Sequence, residues 1–196
     1  MKSVLIGTNN RHKVKEISNL LIGMPLEVKS LLDFPKIQAV DETGKTLEEN
    51  AILKAKSYGQ ATGLLTLADD TGLEVSALND EPGVMSARYA GEQCSYEDNN
   101  RKLLKELLKQ QDRKAKFRCV IACYDPKNNI LEVVEGALEG KILESVRGQN
   151  GFGYDPIFYL PQFKKTLAEL SLEEKNKISH RALALIKAKE ILKKYV

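Results

Sequence analysis

The chain has 196 residues, 42% hydrophobic and 29% charged, with a formal net charge of +3. That suits a globular α/β chain with a sizeable core; the apolar runs fall far short of a membrane span, and the slight basic excess is no argument for a nucleic-acid partner. Three cysteines, Cys94, Cys119 and Cys123, form no Cys-x-x-Cys pair and read as reduced thiols of a cytosolic protein rather than a disulfide frame or zinc site.

The N-terminus lacks the positive-then-apolar pattern of a signal peptide. Val4-Leu5-Ile6 reads as a strand, residues 7–13 as a tight loop, and Val14 to Leu21 as a helix. Thr8, Asn9, Asn10, Arg11, His12 and Lys13 therefore stand at a helix start, where free N–H groups, the helix dipole and the Lys13 charge suit a phosphate. A basic, solvated turn has the same local pattern. The spacing is neither that of a P-loop nor that of a dinucleotide fold.

Leu26 to Leu31 reads as a strand and residues 33–45 as a loop. Thr46 with Glu49 makes a capping box for a helix that buries Leu47, Ala51, Ala55 and Tyr58, with Glu48, Lys54 and Lys56 off that stripe and Gly63 as its stop. Leu64 to Ala68 is expected to be a buried strand that ends in an Asp69-Asp70-Thr71-Gly72 turn before a second strand, Leu73 to Ala77. Ser95 caps a third helix, Tyr96 to about Gln111, with Leu103, Leu104, Leu107 and Leu108 on its apolar face. Lys114 to Tyr124 and Ile130 to Leu138 flank a turn at residues 125–129, and Lys141 to Val146 continues the sheet. A glycine-dense loop, residues 148–156, precedes a short strand at Ile157-Phe158-Tyr159. Ser171 with Glu174 makes another capping box, and Ser179 opens the last helix. Alternating helices and strands followed by a hairpin give an α/β fold with a mixed sheet and a central cleft.

Three places carry chemistry. Asp69 and Asp70 at a strand end face opposite sides, so they need not share one metal; Asp41 and Glu42 add hard oxygens upstream that suit magnesium. An Asx-type turn would also explain the aspartates. Phe152 and Tyr154 offer faces on which a base could stack, although a plain hairpin fits too. Ser179-His180-Arg181 reads equally as a packed helix start or as a binding segment.

Together these segments resemble the inosine triphosphate pyrophosphatase family. The matching residues are 8–13, Glu42-Thr43-Gly44, Glu49-Asn50-Ala51 with Lys54, residues 68–73, Pro82-Gly83-Val84 with residues 86–89, residues 151–156 and Ile178-Ser179-His180-Arg181. They span nearly the whole chain in the family's order. The resemblance implies one domain over residues 1–196: an elongated mixed β-sheet flanked by helices, with two lobes around a central nucleotide-binding cleft. It implies a cytoplasmic homodimer acting on purine nucleoside triphosphates with Mg2+, without nucleic-acid or membrane partners. The implied reaction is water attack at the α-phosphorus of ITP, dITP or XTP, giving the monophosphate and pyrophosphate.

By that resemblance, Thr8 to Lys13 grip the triphosphate. Asp70 accepts the proton and ligates magnesium, with Glu42 as second ligand. Thr71, Phe152, Gly153, Tyr154, Asp155, Lys175, His180 and Arg181 bind the rest of the substrate. Arg181 is the expected donor to the six-position oxygen of the base, a contact adenine cannot accept. Two positions depart from the family: Thr71 where Ser is common, and Asn150 where Gly is common. The hydroxyl survives in the first, and Asn tolerates left-handed backbone in the second. The rival readings are a Maf-like nucleotide pyrophosphatase of different base preference and a nucleotide-binding regulator without turnover.

Overall fold

The computed structural model describes residues 2–196. The described residues divide into two compact units, one of residues 2–70, 119–136 and 180–196, the other of 71–118 and 137–179. The fold is a mixed α/β one, with an open eight-stranded sheet flanked by helices. Its strands are β1 (Lys2–Ile6), β2 (Leu26–Ser30), β3 (Leu65–Val75), β4 (Pro82–Gly83), β5 (Lys114–Asp125), β6 (Ile130–Ile142), β7 (Phe158–Leu160) and β8 (Lys165–Thr166). They are ordered β2-β1-β3-β5-β6-β7-β8, with β4 on β3. β1 pairs in parallel with β2 and β3; β4 on β3, β7 on β6 and β8 on β7 are antiparallel. The helices are α1 (Arg11–Leu21), α2 (Leu47–Thr62), α3 (Tyr96–Glu106), α4 (Leu172–Ile178) and α5 (His180–Leu192).

In the first unit, Val4 and Ile6 of β1, Leu65 and Leu67 of β3, and Cys119, Ile121 and Cys123 of β5 bury the alternate side chains of their strands. They share a core with Ile17 and Leu21 of α1 and Leu185, Ala188 and Leu192 of α5. The two cysteines pack as small apolar groups, and burial pushes the Cys123 thiol up to about 12. α2 is capped by the Thr46 hydroxyl, which accepts from Glu49 N. The capping box is not reciprocal: the Glu49 carboxylate accepts from Lys45 N. Gly63, at φ +68°, ends the helix in the left-handed region that glycine enters without strain. In the second unit, Leu73, Leu103, Leu107, Phe117, Ile142, Ile157 and Phe158 form a separate core.

Three expectations need correction. Asp69-Asp70-Thr71-Gly72 is no turn: β3 runs unbroken for 11 residues. Thr-Gly reads as punctuation in a sequence, but here it lies in a buried strand whose later part pairs with β4. α3 stops at Glu106, and Leu108 is 79% exposed rather than part of the apolar face. Lys54 does not lie off the buried stripe; it is buried, because Asn50, Lys54 and Tyr58 recur every four residues along one side of α2.

Candidate active site

In the first unit, α1 starts at Arg11, three residues before the expected Val14; the loop before it leaves Asn9 exposed and buries Thr8, and Arg11 and His12 are exposed in the first helical turn. Its helix-start amides are partly taken already, since Asn10 Oδ1 accepts from His12 N at 3.0 Å and from Lys13 N at 3.3 Å. That Asx cap shapes the loop, and Thr8 Oγ1 accepts from Asn10 N in turn. Lys13 points at Asp69, with Nζ 3.0 Å from Oδ2.

Asp70, the next residue of β3, meets a different set. Lys54 Nζ lies 3.0 Å from Asp70 Oδ1 and 2.8 Å from Glu42 Oε1. Asn50 Nδ2 reaches Asp70 Oδ2 at 3.4 Å, while Asn50 Oδ1 accepts from Gly44 N at 2.8 Å. One amide side chain thus ties the Glu42-Thr43-Gly44 loop to the aspartate. No side chain fits at Gly44, whose Cβ would stand 2.6 Å from Asn50 Oδ1. The Tyr58 hydroxyl, accepting from Val40 N, anchors the loop further upstream. α2 therefore supplies Asn50, Lys54 and Tyr58 from one face to hold both ends of the acidic loop.

The two aspartates titrate oppositely. Burial pushes Asp69 up, but the positive charges of Lys13, Arg181 and Lys54 outweigh it and hold the carboxyl well below its usual range. Burial also raises Asp70, and there Lys54 and Lys13 do not fully offset it, with Glu42 adding repulsion. Burial depresses the Lys54 ammonium, yet Asp70, Asp69 and Glu42 more than compensate and raise it. Asp70 and Lys54 both hold protons tightly, which fits the charges present: Glu16, Glu42, Asp69 and Asp70 against Lys13, Lys54 and Arg181. The cluster carries one negative charge more than its cations cancel.

That excess bears on a metal. Among the described residues no three His, Cys, Asp or Glu side chains are placed to cage an ion. Asp70 and Glu42 nonetheless converge on one cation, and a pair of hard carboxylates suits magnesium, which usually completes its shell with water and substrate phosphates.

Arg181 is bound into the charge cluster of the first unit. It is 1% exposed; its Nε donates to Asp69 Oδ2 at 3.2 Å and its Nη1 to Glu16. Two buried carboxylates thus fix the guanidinium in place. His180, beside it at the start of α5, is also buried.

In the second unit, the glycine-dense loop wraps Asp155. Asp155 Oδ2 accepts from Phe152 N at 2.9 Å and from Lys175 Nζ at 2.6 Å, and both charged side chains are buried. Gly151 makes this possible: its φ is +77°, and a Cβ there would lie 2.0 Å from Asp155 Oδ2. Phe152 is half-buried, with the Lys175 ammonium 4.9 Å from its ring and Tyr96 of α3 at 5.9 Å. One turn along α3, Asn100 Nδ2 donates to Gly153 O at 3.1 Å. Tyr154 offers no face to a base: it is core, and its hydroxyl donates to Ser86 O at 2.9 Å. Thr71 is half-buried in β3. A separate open cavity of about 750 Å³, lined by Arg113, Lys114, Lys141, Arg147 and Tyr159 among others, contains none of these residues.

The structure thus gathers Asp70 and Glu42 around Lys54, Lys13 and Arg181 around Asp69, and Phe152, Gly153, Asp155 and Lys175 in one loop cluster. Sequence reasoning missed Glu16, the linking role of Asn50, and Asn100. A signal for Glu16 was present: it follows Lys13 by three residues, so both share one face of α1.

Comparison with known proteins matches residues 4–191 to the model of the Ham1 family. A dITP/XTP pyrophosphatase of Thermoanaerobacter pseudethanolicus is 50% identical over 193 residues, 97% of this chain and 96% of that one. One from Bacillus anthracis is 52% identical over the same shares. Among solved structures, a HAM1 protein from Coxiella burnetii superposes with TM-score 0.91 at 41% identity, covering 99% of this chain and 100% of its own. The Staphylococcus aureus Ham1 protein does so with TM-score 0.89 at 42% identity, both chains fully covered. Agreement of this extent in sequence and in fold means that the chain belongs to the Ham1 family.

Proposed function

We propose that this protein hydrolyses non-standard purine nucleoside triphosphates, dITP, XTP and ITP, to the monophosphate and pyrophosphate, clearing deaminated purines from the nucleotide pool. Relatives about half identical over nearly their whole length are named dITP/XTP pyrophosphatases. The observation that carries the reading is the Asp70–Lys54–Glu42 cluster: a buried carboxylate with a raised proton affinity, beside a second carboxylate and a fixed ammonium.

In this reading Asp70 accepts the proton of the attacking water, a task suited to a carboxylate poised above its ordinary range. Lys54 holds Asp70 and Glu42 in register. Lys13 and the polar loop before α1 bind the phosphate chain. Phe152, Asp155 and Lys175 take the base, with the half-buried Phe152 ring as stacking surface. Asp70 and Glu42 would hold magnesium, which when bound screens phosphate charge and polarises water. Arg181 stays the expected donor to a six-position oxygen, and the Lys175 ammonium beside Phe152 is a second one. The same reading makes the protein a cytoplasmic homodimer acting on free nucleotides. Among the described residues no helix is long and apolar enough to cross a membrane.

Pyrophosphate release from ITP, XTP, dITP, ATP and GTP with magnesium tests the proposal. Preference for the first three is expected. Turnover of none would refute an enzyme and favour a regulator; preference for standard or pyrimidine nucleotides would refute the specificity.

A further inference from the structure

The buried charges of the first unit alternate across three elements. Lys13 on α1 meets Asp69 on β3 at 3.0 Å, Asp69 meets Arg181 Nε on α5 at 3.2 Å, and Arg181 Nη1 returns to Glu16 on α1. The side chains of Asp69 and Arg181 are 0% and 1% exposed, against 14% for Lys13. The chain of charges therefore opens toward solvent at its lysine end. An ammonium on a four-carbon stem has no fixed position of its own. Here a carboxylate holds it, and that carboxylate is held by a guanidinium whose other edge is pinned one turn further along the same helix. Asp70 faces Lys54 and Asn50 instead, as alternation along a strand requires.

We propose that Asp69 is a positioning residue: backed by Arg181 and Glu16, it fixes the Lys13 ammonium for the phosphate chain of the substrate and takes no part in the proton transfer assigned to Asp70. Glu16 then serves binding without touching substrate. The inference rests on the triphosphate reading above but is tested apart from it.

The test measures the Kd of inorganic tripolyphosphate by calorimetry, in magnesium buffer, for wild type, Lys13→Met, Asp69→Asn and the double variant. Loss of one charge-assisted contact predicts about a tenfold rise in Kd for each single variant. If Asp69 acts through Lys13, the double variant binds within about twofold of Lys13→Met, because coupled residues are not additive. With ITP, Asp69→Asn should raise KM about tenfold while kcat changes less than about threefold. Multiplying effects in the double variant, or a fall in kcat at unchanged KM, would overturn the proposal, as would a wild type that turns over ITP but does not bind tripolyphosphate. A wild type that binds tripolyphosphate and hydrolyses nothing defeats the proposed function, and the Kd series still decides the role of Asp69. Should Asp69→Asn not fold, Glu16→Gln replaces it: Arg181 then draws harder on Asp69, and Kd rises in wild type but not in the Lys13→Met background. No change beyond twofold would overturn the proposal.

Discussion

Replacing Lys54 by methionine keeps the volume of the stem and leaves Asp70 buried without its ammonium. The lost contact is 3.0 Å long. At that separation, bulk-water screening leaves about 1.4 kcal/mol, and an effective dielectric near 20 gives about 5.5 kcal/mol. Breaking one side of a buried pair costs roughly 3–5 kcal/mol, between those bounds. The cost should depend on pH, and its sign follows from Asp70. Burial raises its folded pKa and Lys54 opposes the rise, so the variant raises it further. A folded state that binds the proton more tightly loses stability as pH climbs from the ordinary value of 3.8 through the folded pKa, and bears the full penalty above it. The gap between wild type and variant should therefore be about 3–5 kcal/mol at pH 8 and shrink by at least about 1.4 kcal/mol, one pKa unit, near pH 4. Urea unfolding followed by circular dichroism at both pH values, in EDTA so that no metal competes, measures it. A gap equal at both, or wider in acid, would show that Lys54 acts through packing and does not neutralise Asp70.

Asp70→Asn should leave the urea midpoint near wild type or above it, since it removes a buried charge, yet lower ITP turnover by about two to four orders of magnitude in the pyrophosphate assay. EDTA should abolish turnover and added magnesium restore it, with the circular dichroism spectrum unchanged throughout. Gly151→Ala forces a side chain into left-handed backbone against Asp155; about 1–3 kcal/mol of stability should be lost, and KM for ITP should rise while tripolyphosphate Kd stays within about twofold. Asp69, held below its ordinary value, contributes stability that is complete above pH 3.8 and lost as pH falls below it. Acid unfolding of Asp69→Asn should accordingly show a shallower decline in that range than wild type.

Much of the fold was legible because local rules and tertiary packing agree. Thr46, Ser95 and Ser171 cap the helices they were expected to cap, and β5 alternates as its side chains predict up to Cys119, beyond which both of its faces are buried. The opposite orientations of Asp69 and Asp70 followed from strand geometry alone. What was not legible is charge burial. Patterning treats Lys54 and Arg181 as solvent-seeking, whereas each is buried because carboxylates from distant segments converge on it: Asp70 lies 16 residues from Lys54, and Glu16 lies 165 from Arg181. No local window contains both partners. Tyr154 misled for the opposite reason, since an aromatic residue among glycines suggests a ligand face, while its ring completes a core.

The unbroken course of β3 also limits how this chain can vary. A strand that turned after Asp69 could absorb an inserted residue in the turn. A paired strand cannot, because its side chains alternate and a one-residue slip moves every one of them to the other face. One residue lost between Leu65 and Asp69 would put Asp70 where Asp69 stands, before Lys13 and Arg181, and leave Thr71 facing Lys54 and Asn50. Lys54 would lose its aspartate without any change of residue type. Length in this segment is therefore as constrained as chemistry, whereas the loop at residues 126–129, between β5 and β6, can lengthen without moving either carboxylate.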